Sequence, residues 1–132
     1  MAETKRVERP LSPFMIGPYY RVQMTSMSSI MTRATGNALI AGFLLGAWWL
    51  IAAVSSPGHF AFVNWIVTSW IGWLIFAGMA WSMWYHYLTG LRHLWWDSGR
   101  GLDIETAEKL GWGAFYGATG LTLFTLIVLW IV

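Results

Sequence analysis

The sequence predicts an all-α integral membrane protein with three transmembrane helices, its N-terminus in the cytoplasm and its C-terminus outside. Of its 132 residues 57% are hydrophobic and 11% charged, which is far too apolar for a soluble domain of this size. Its net charge of +2 is too small to suggest nucleic-acid binding. Cys is absent, which excludes thiolate metal sites within the chain.

Three helices are predicted over residues 29–54, 61–96 and 106–131. Each offers the roughly 20 apolar residues that a bilayer core of about 30 Å requires of a helix. The second stretch is longer than the core needs, so its C-terminal turns are expected to emerge at the membrane interface. The chain thus divides into an N-terminal cytoplasmic segment, 1–28, and a three-helix transmembrane domain, 29–132.

The positions of the basic residues orient these helices. All eight lie in the N-terminal segment, at the start of the first helix or around the connection between the second and third: Lys5, Arg6, Arg9, Arg21, Arg33, Arg92, Arg100 and Lys109. The positive-inside rule therefore assigns that side to the cytoplasm. The N-terminus lacks the pattern of a signal or transit peptide, which favours a bacterial inner membrane over a mitochondrial one.

The third helix has its own start signal. Asp103 is a predicted N-cap, and Glu105 and Lys109 are four residues apart, as in a helical ion pair.

The loops on either side of the helices are too short for a catalytic head, and three isolated helices bury little surface. Partner chains are therefore expected.

A polar stripe marks the C-terminal part of the second predicted helix. His86, Gly90, His93 and Asp97 are spaced by four, three and four residues and so share one helical face. Neutral imidazole is a standard ligand of haem iron, and a glycine one turn away leaves room for a flat macrocycle. His86 is thus a candidate axial haem ligand, although a histidine that merely hydrogen-bonds another helix fits the spacing equally well. A second axial ligand would have to come from another chain.

Ser29 and Arg33 form a second candidate site at the start of the first helix. They are four residues apart, so a hydroxyl and a positive charge can converge on one carbonyl or anionic group near the interface. A quinone head suits this pair. The alternative is that Arg33 only anchors the helix end among lipid headgroups.

Three motifs follow one another along nearly the whole chain: Arg9-Pro-Leu-Ser-Pro13, Ser29-Ile-Met-Thr-Arg-Ala-Thr-Gly36 and His86-Tyr-Leu-Thr-Gly-Leu-Arg-His-Leu-Trp-Trp-Asp97. Together they resemble the Arg-Pro, Ser-x3-Arg-x2-Gly and His-x3-Gly-x-Arg-His-x3-Asp motifs of the cytochrome b membrane-anchor subunit of succinate dehydrogenase, respiratory complex II. The last of these motifs is the specific one.

This resemblance implies the anchor of a succinate:ubiquinone oxidoreductase, a subunit that does no succinate chemistry itself. Electrons from succinate would arrive through a flavoprotein subunit and an iron–sulfur subunit, and ubiquinone would be reduced at the cytoplasmic interface. His86 would bind the iron of a b-type haem that is shared with a second small anchor subunit, with Gly90 and His93 beside it. Asp97 would support a haem propionate or the docking of the soluble subunits.

The resemblance also implies that Ser29 and Arg33 line the quinone site. Many relatives carry a His directly before the motif Arg, where this sequence has Thr32, so Arg33 is expected to serve both the quinone and the haem propionates. Two alternatives stand beside this assignment. The complex could run as a quinol:fumarate reductase, or the chain could be a small Trp-rich transporter or assembly protein without a redox cofactor.

Overall fold

A computed structural model describes residues 20–132 as four helices, and it has no strand in that part of the chain. In chain order they are α1 (Met24–Ser55), α2 (Pro57–Thr68), α3 (Trp70–Asp97) and α4 (Ile104–Ile131). Helices α1 and α4 are each long and apolar enough to cross a bilayer, and α2 and α3 are so when they are taken together as one bent span. The all-α membrane fold is thus confirmed. The first 19 residues, with the Arg9-Pro motif, lie outside the described residues.

Helix α1 begins earlier than predicted, at Met24 rather than residue 29. The Gln23 backbone N–H donates to Ser26 Oγ at 3.3 Å, and Ser26 Oγ donates to the Gln23 carbonyl at 2.9 Å. The first of these bonds satisfies a backbone N–H at the helix start, as the reciprocal bond of a capping box does. With 32 residues, α1 is about 48 Å long and extends well beyond a bilayer core of about 30 Å.

The prediction of one continuous helix over residues 61–96 is wrong. Helical structure resumes at Pro57, because Ser56 Oγ accepts the His59 backbone N–H at 3.2 Å and proline suits a first helical turn. The axis then bends by 65° between α2 and α3. Trp49 Nε1 donates to Asn64 Oδ1 at 3.3 Å and ties α2 back to the end of α1. The second span is therefore a short helix followed by a long one.

Ser69 and Gly72 produce the bend. Ser69 Oγ donates to the Ile66 carbonyl at 2.6 Å and accepts the Gly72 backbone N–H at 3.2 Å, so one hydroxyl closes α2 and caps α3. A Cβ at position 72 would clash with the Val67 carbonyl oxygen, so the two backbones approach this closely because Gly72 has no side chain.

The third predicted helix agrees with α4 within two residues, and its start signal is confirmed. The Asp103 carboxylate accepts the Thr106 backbone N–H at 2.8 Å, and this hydrogen bond lowers the pKa of Asp103. Lys109 Nζ lies 2.6 Å from Glu105 Oε1. The turn before α4 passes through Gly99 and Gly101, whose φ angles of 77° and 69° favour glycine.

Helices α3 and α4 pack most closely. The buried residues of α4 are small or polar and recur every three or four positions: Gly111, Ala114, Ala118 and Thr122. Tyr85 of α3 packs against two of them, and the indole N–H groups of Trp81 and Trp84 donate to Thr119 and Thr125 of α4 at 3.1 and 3.0 Å. Most large apolar side chains point outward, as contact with lipid or partner helices requires.

Candidate functional site

Helix α1 holds the imidazole of His86. Its Nδ1 lies 3.1 Å from the Thr32 carbonyl oxygen and 3.4 Å from Thr35 Oγ1. The Thr35 hydroxyl proton is directed to backbone carbonyls of its own helix, those of Met31 at 2.8 Å and Thr32 at 3.0 Å. Both neighbours of Nδ1 therefore act as acceptors, so Nδ1 carries the proton. The lone pair of a neutral His86 is then on Nε2, the atom left for a ligand.

Gly36 lets the two helices meet at this histidine. A Cβ at position 36 would lie 3.1 Å from His86 Cε1 and 3.5 Å from Nδ1, tighter than ordinary packing allows. Gly36 closes the Ser-x3-Arg-x2-Gly motif of α1, and His86 opens the polar stripe of α3. The structure thus brings the two predicted segments into contact through a glycine and an imidazole.

Ser29 and Arg33 lie on the same side of α1 as Gly36, since the three are spaced by four and three residues. Ser29 is half-buried and Arg33 is exposed. Within residues 20–132 neither side chain hydrogen-bonds another residue.

The remaining predicted residues follow His86 along α3. His93 is exposed and meets the edge of Trp96, with ring centroids 5.2 Å apart. Asp97 ends the helix, is exposed, and has no ion pair within the described chain. Nothing lies within 4 Å of a Cβ built on Gly90, so the space beside it is open. Beyond His86, the part of this face from Gly90 to Asp97 is therefore not covered by the described helices.

Arg92 is a residue that the sequence analysis missed. It is 5% exposed, its Nη1 donates to Ser28 Oγ of α1 at 2.9 Å, and its guanidinium lies 4.6 Å from the Trp96 ring centroid. A Cβ on Gly111 of α4 would lie 3.5 Å from the same Nη1. Arg92 thus contacts α1 and approaches α4 closely, and its Nε has no partner among the described residues.

A sequence signal for Arg92 did exist. Ser82, Tyr85, Thr89 and Arg92 are spaced by three, four and three residues, which makes a second polar face of α3 beside the histidine stripe. The sequence analysis treated Arg92 as one of the basic residues that orient the chain. Its position on this face, where it reaches Ser28 of α1, distinguishes it from a basic residue that is fully exposed at a helix end.

No group of three or more His, Cys, Asp or Glu side chains comes together within residues 20–132. A metal held through His86 would therefore need ligands beyond those that these side chains can supply together. Haem iron meets this condition, because the porphyrin supplies four of its ligands and a single histidine can hold one axial position.

Comparisons with a family model and with individual proteins identify the same family of membrane subunits. The family model described as "Succinate dehydrogenase/Fumarate reductase transmembrane subunit" matches residues 5–129. The succinate dehydrogenase cytochrome b556 subunit of Paracoccus denitrificans is 49% identical over 131 residues, 99% of each chain. That of Rickettsia bellii is 34% identical over 134 residues, covering 99% of this chain and all of the relative. The cytochrome b560 subunit of Reclinomonas americana is 30% identical over 132 residues, covering 96% of this chain and 87% of the relative.

Proposed function

Because this chain belongs to the family of succinate dehydrogenase/fumarate reductase transmembrane subunits, we propose that it anchors a succinate:ubiquinone oxidoreductase, binds a b-type haem and forms part of the quinone site. The family name identifies a transmembrane subunit of an enzyme complex, and the haem and quinone assignments go beyond that name. Its partners would be a flavoprotein, an iron–sulfur subunit and a second small anchor subunit.

The observation that carries the haem proposal is the hydrogen bonding of His86. Its Nδ1 is held by the Thr32 carbonyl and Thr35 Oγ1, which leaves Nε2 free on a partly exposed ring. His86 would hold the iron through Nε2, and the open space beside Gly90 would accommodate the macrocycle. His93 and Arg33 carry the nitrogen donors expected near the propionates. The haem itself would supply one-electron redox chemistry.

The quinone proposal rests on Ser29 and Arg33. Their side chains share a side of α1, and within residues 20–132 they make no competing hydrogen bonds. Ser29 would donate to a quinone carbonyl, and the fixed charge of Arg33 would stabilise the negative charge that develops on reduction. Asp97, exposed at the end of α3, would support a propionate or dock a soluble subunit.

We place the charged side of the bundle in the cytoplasm of a bacterium, with the chain in the inner membrane. On that side lie Arg33, His93, Asp97 and the connection between α3 and α4. Electrons taken from succinate in the flavoprotein would reach the quinone there through the iron–sulfur subunit.

The decisive experiment is a reduced-minus-oxidised absorption spectrum of the complex that co-purifies with the His86→Leu variant of this chain. We expect the b-haem difference spectrum to disappear because the iron loses an axial ligand. His59→Leu is the matched control and should retain the spectrum, since His59 bonds Trp48 at 3.1 Å at the opposite end of the chain's helices. An unchanged spectrum in His86→Leu, measured on assembled complex, would exclude the ligand assignment.

Quinol:fumarate reduction is the second candidate, because the family description covers both enzymes. The relatives are named as subunits of succinate dehydrogenase, which favours succinate oxidation. Assays of the purified complex in both directions with a ubiquinone and a menaquinone would separate the two. The same family membership disfavours a transporter without a redox cofactor.

A further inference from the structure

A groove of about 320 Å³ opens between α3 and α4, away from the proposed haem face. Its α3 wall includes Leu88, Leu91 and Trp95, which are spaced by three and four residues. This spacing puts them on the side of α3 opposite His86, Gly90, His93 and Asp97. A second anchor subunit seated on the histidine stripe would therefore leave the groove open to the membrane.

Positive charge is concentrated at this groove. Arg92 and Lys109 line it, and the guanidinium of Arg100 lies 5.6 Å from the ring centroid of Trp95, another lining residue. Lys109 is paired with Glu105 and is otherwise exposed to an incoming anion. Arg92 is 5% exposed, and one hydrogen bond to Ser28 leaves its Nε unpaired in the described chain. A buried positive charge with few hydrogen bonds is costly, so an anion held next to the guanidinium would be stabilising.

We propose that this groove binds one anionic phospholipid, with its phosphate at Arg92 and Lys109 and its acyl chains along the leucines. A guanidinium and an ammonium both form charge-assisted hydrogen bonds with phosphate oxygens. Leu88, Leu91 and Leu110 supply an apolar wall next to the charges, which a free phosphate would not need and an acyl chain would cover. Trp95 marks headgroup level, where indole rings collect. Basic pockets between transmembrane helices bind anionic headgroups in this way.

Native mass spectrometry of the complex that co-purifies with this chain tests the proposal. Dioleoylphosphatidylglycerol and dioleoylphosphatidylcholine, which share acyl chains and differ in net charge, are added separately in detergent. Gly113→Leu should fill the groove, because Gly113 lines it and has nothing within 4 Å of an added Cβ. Gly120→Leu is the matched control on the same helix, equally open but outside the groove.

We expect wild type and Gly120→Leu to retain phosphatidylglycerol and Gly113→Leu to lose it. Lys109→Gln, which leaves the Arg92–Ser28 bond intact, should lower retention about fivefold, as expected for removal of one basic residue at a lipid headgroup. Equal retention of phosphatidylcholine, undiminished binding in Gly113→Leu or Lys109→Gln, or absence of phosphatidylglycerol from the wild-type complex would each overturn the proposal. Absence in wild type would mean that protein, from the N-terminal residues or a partner, occupies the groove.

Discussion

At the scale of single residues, the hydrogen bonds of His86 determine which ring nitrogen a ligand can use. The acceptors are a backbone carbonyl, that of Thr32, and a hydroxyl whose proton is already donated, that of Thr35. An acceptor at Nδ1 increases the electron density of the imidazole and so affects any metal bound at Nε2. The two threonines of α1 are therefore positioned to tune the proposed haem without touching it.

Thr35→Val should leave the haem bound and raise its midpoint potential, because the imidazole loses one acceptor and becomes a weaker electron donor. The measurement is a redox titration of the purified complex. Thr122→Val is the matched control, since the buried Thr122 hydroxyl donates to the Ala118 carbonyl of its own helix at 2.7 Å and makes no hydrogen bond with His86. A potential equal to that of wild type, or an equal shift in the control, would contradict the role of Thr35.

Alanine substitutions at two adjacent serines should have different effects. Ser28→Ala removes the acceptor of the buried Arg92, so we expect the free energy of unfolding to fall by about 1–2 kcal/mol. Ser29→Ala, like Arg33→Leu, should lower quinone reduction while sparing succinate oxidation by an artificial dye, because the soluble subunits still work. Thermal unfolding and the ratio of the two activities measure these effects on the same preparations.

Each serine is the control for the other in this experiment. A fall in the quinone-to-dye ratio in Ser28→Ala, or equal survival of both activities in Ser29→Ala and Arg33→Leu, would contradict the assignments. Arg21→Leu, an exposed arginine before α1, should leave the ratio unchanged.

At the scale of helices, the apolar runs identify the spans but not the bend within one of them. Residues 61–96 contain no Pro, and the bend depends on Ser69 and Gly72, two residue types that also occur within straight membrane helices. Their effect comes from a hydroxyl that serves two backbone groups and from a close approach to the Val67 carbonyl. The Asp103 cap was predictable because its hydrogen bond is local in sequence.

Gly72→Ala should destabilise the complex by about 1–3 kcal/mol, because the added methyl group meets backbone atoms that cannot move aside freely. Gly78→Ala lies on the same helix with open space around its Cβ and should stabilise by about 0.5–1 kcal/mol through helix propensity. Thermal unfolding of the two variants beside wild type checks this. Equal stability of both variants would show that the bend does not depend on Gly72.

At the scale of the whole molecule, the positions of the basic residues predict the orientation of the chain, and the absence of Cys allows this prediction to be tested. We expect Gly58→Cys to react with a membrane-impermeant maleimide added to intact spheroplasts, and Ser98→Cys to react only after the membranes are opened. Both positions are exposed and lie at opposite ends of the α2–α3 span. The chain has no other Cys to give background. The reverse labelling pattern would invert the proposed topology.

The candidate site was predictable as a set of residues but not as an arrangement. Spacing put His86, Gly90, His93 and Asp97 on one face, and motifs singled out Ser29 and Arg33. Contact between Gly36 and His86 depends on how α1 packs on α3, which periodicity within each helix does not specify. Arg92 was missed for the same reason, since its partner Ser28 is 64 residues away in the chain.

The small number of buried hydrophobic side chains has a consequence for how much of this chain accumulates in the cell. Within the described residues the buried hydrophobic side chains are Ala52, Val63, Tyr85, Ala114 and Ala118, so the chain gains little stability from its own packing. Much of its native stability must come from whatever covers the remaining helical surface. Copies made in excess of their partners are then expected to be degraded by membrane proteases, and the scarcest subunit would set how many complexes accumulate.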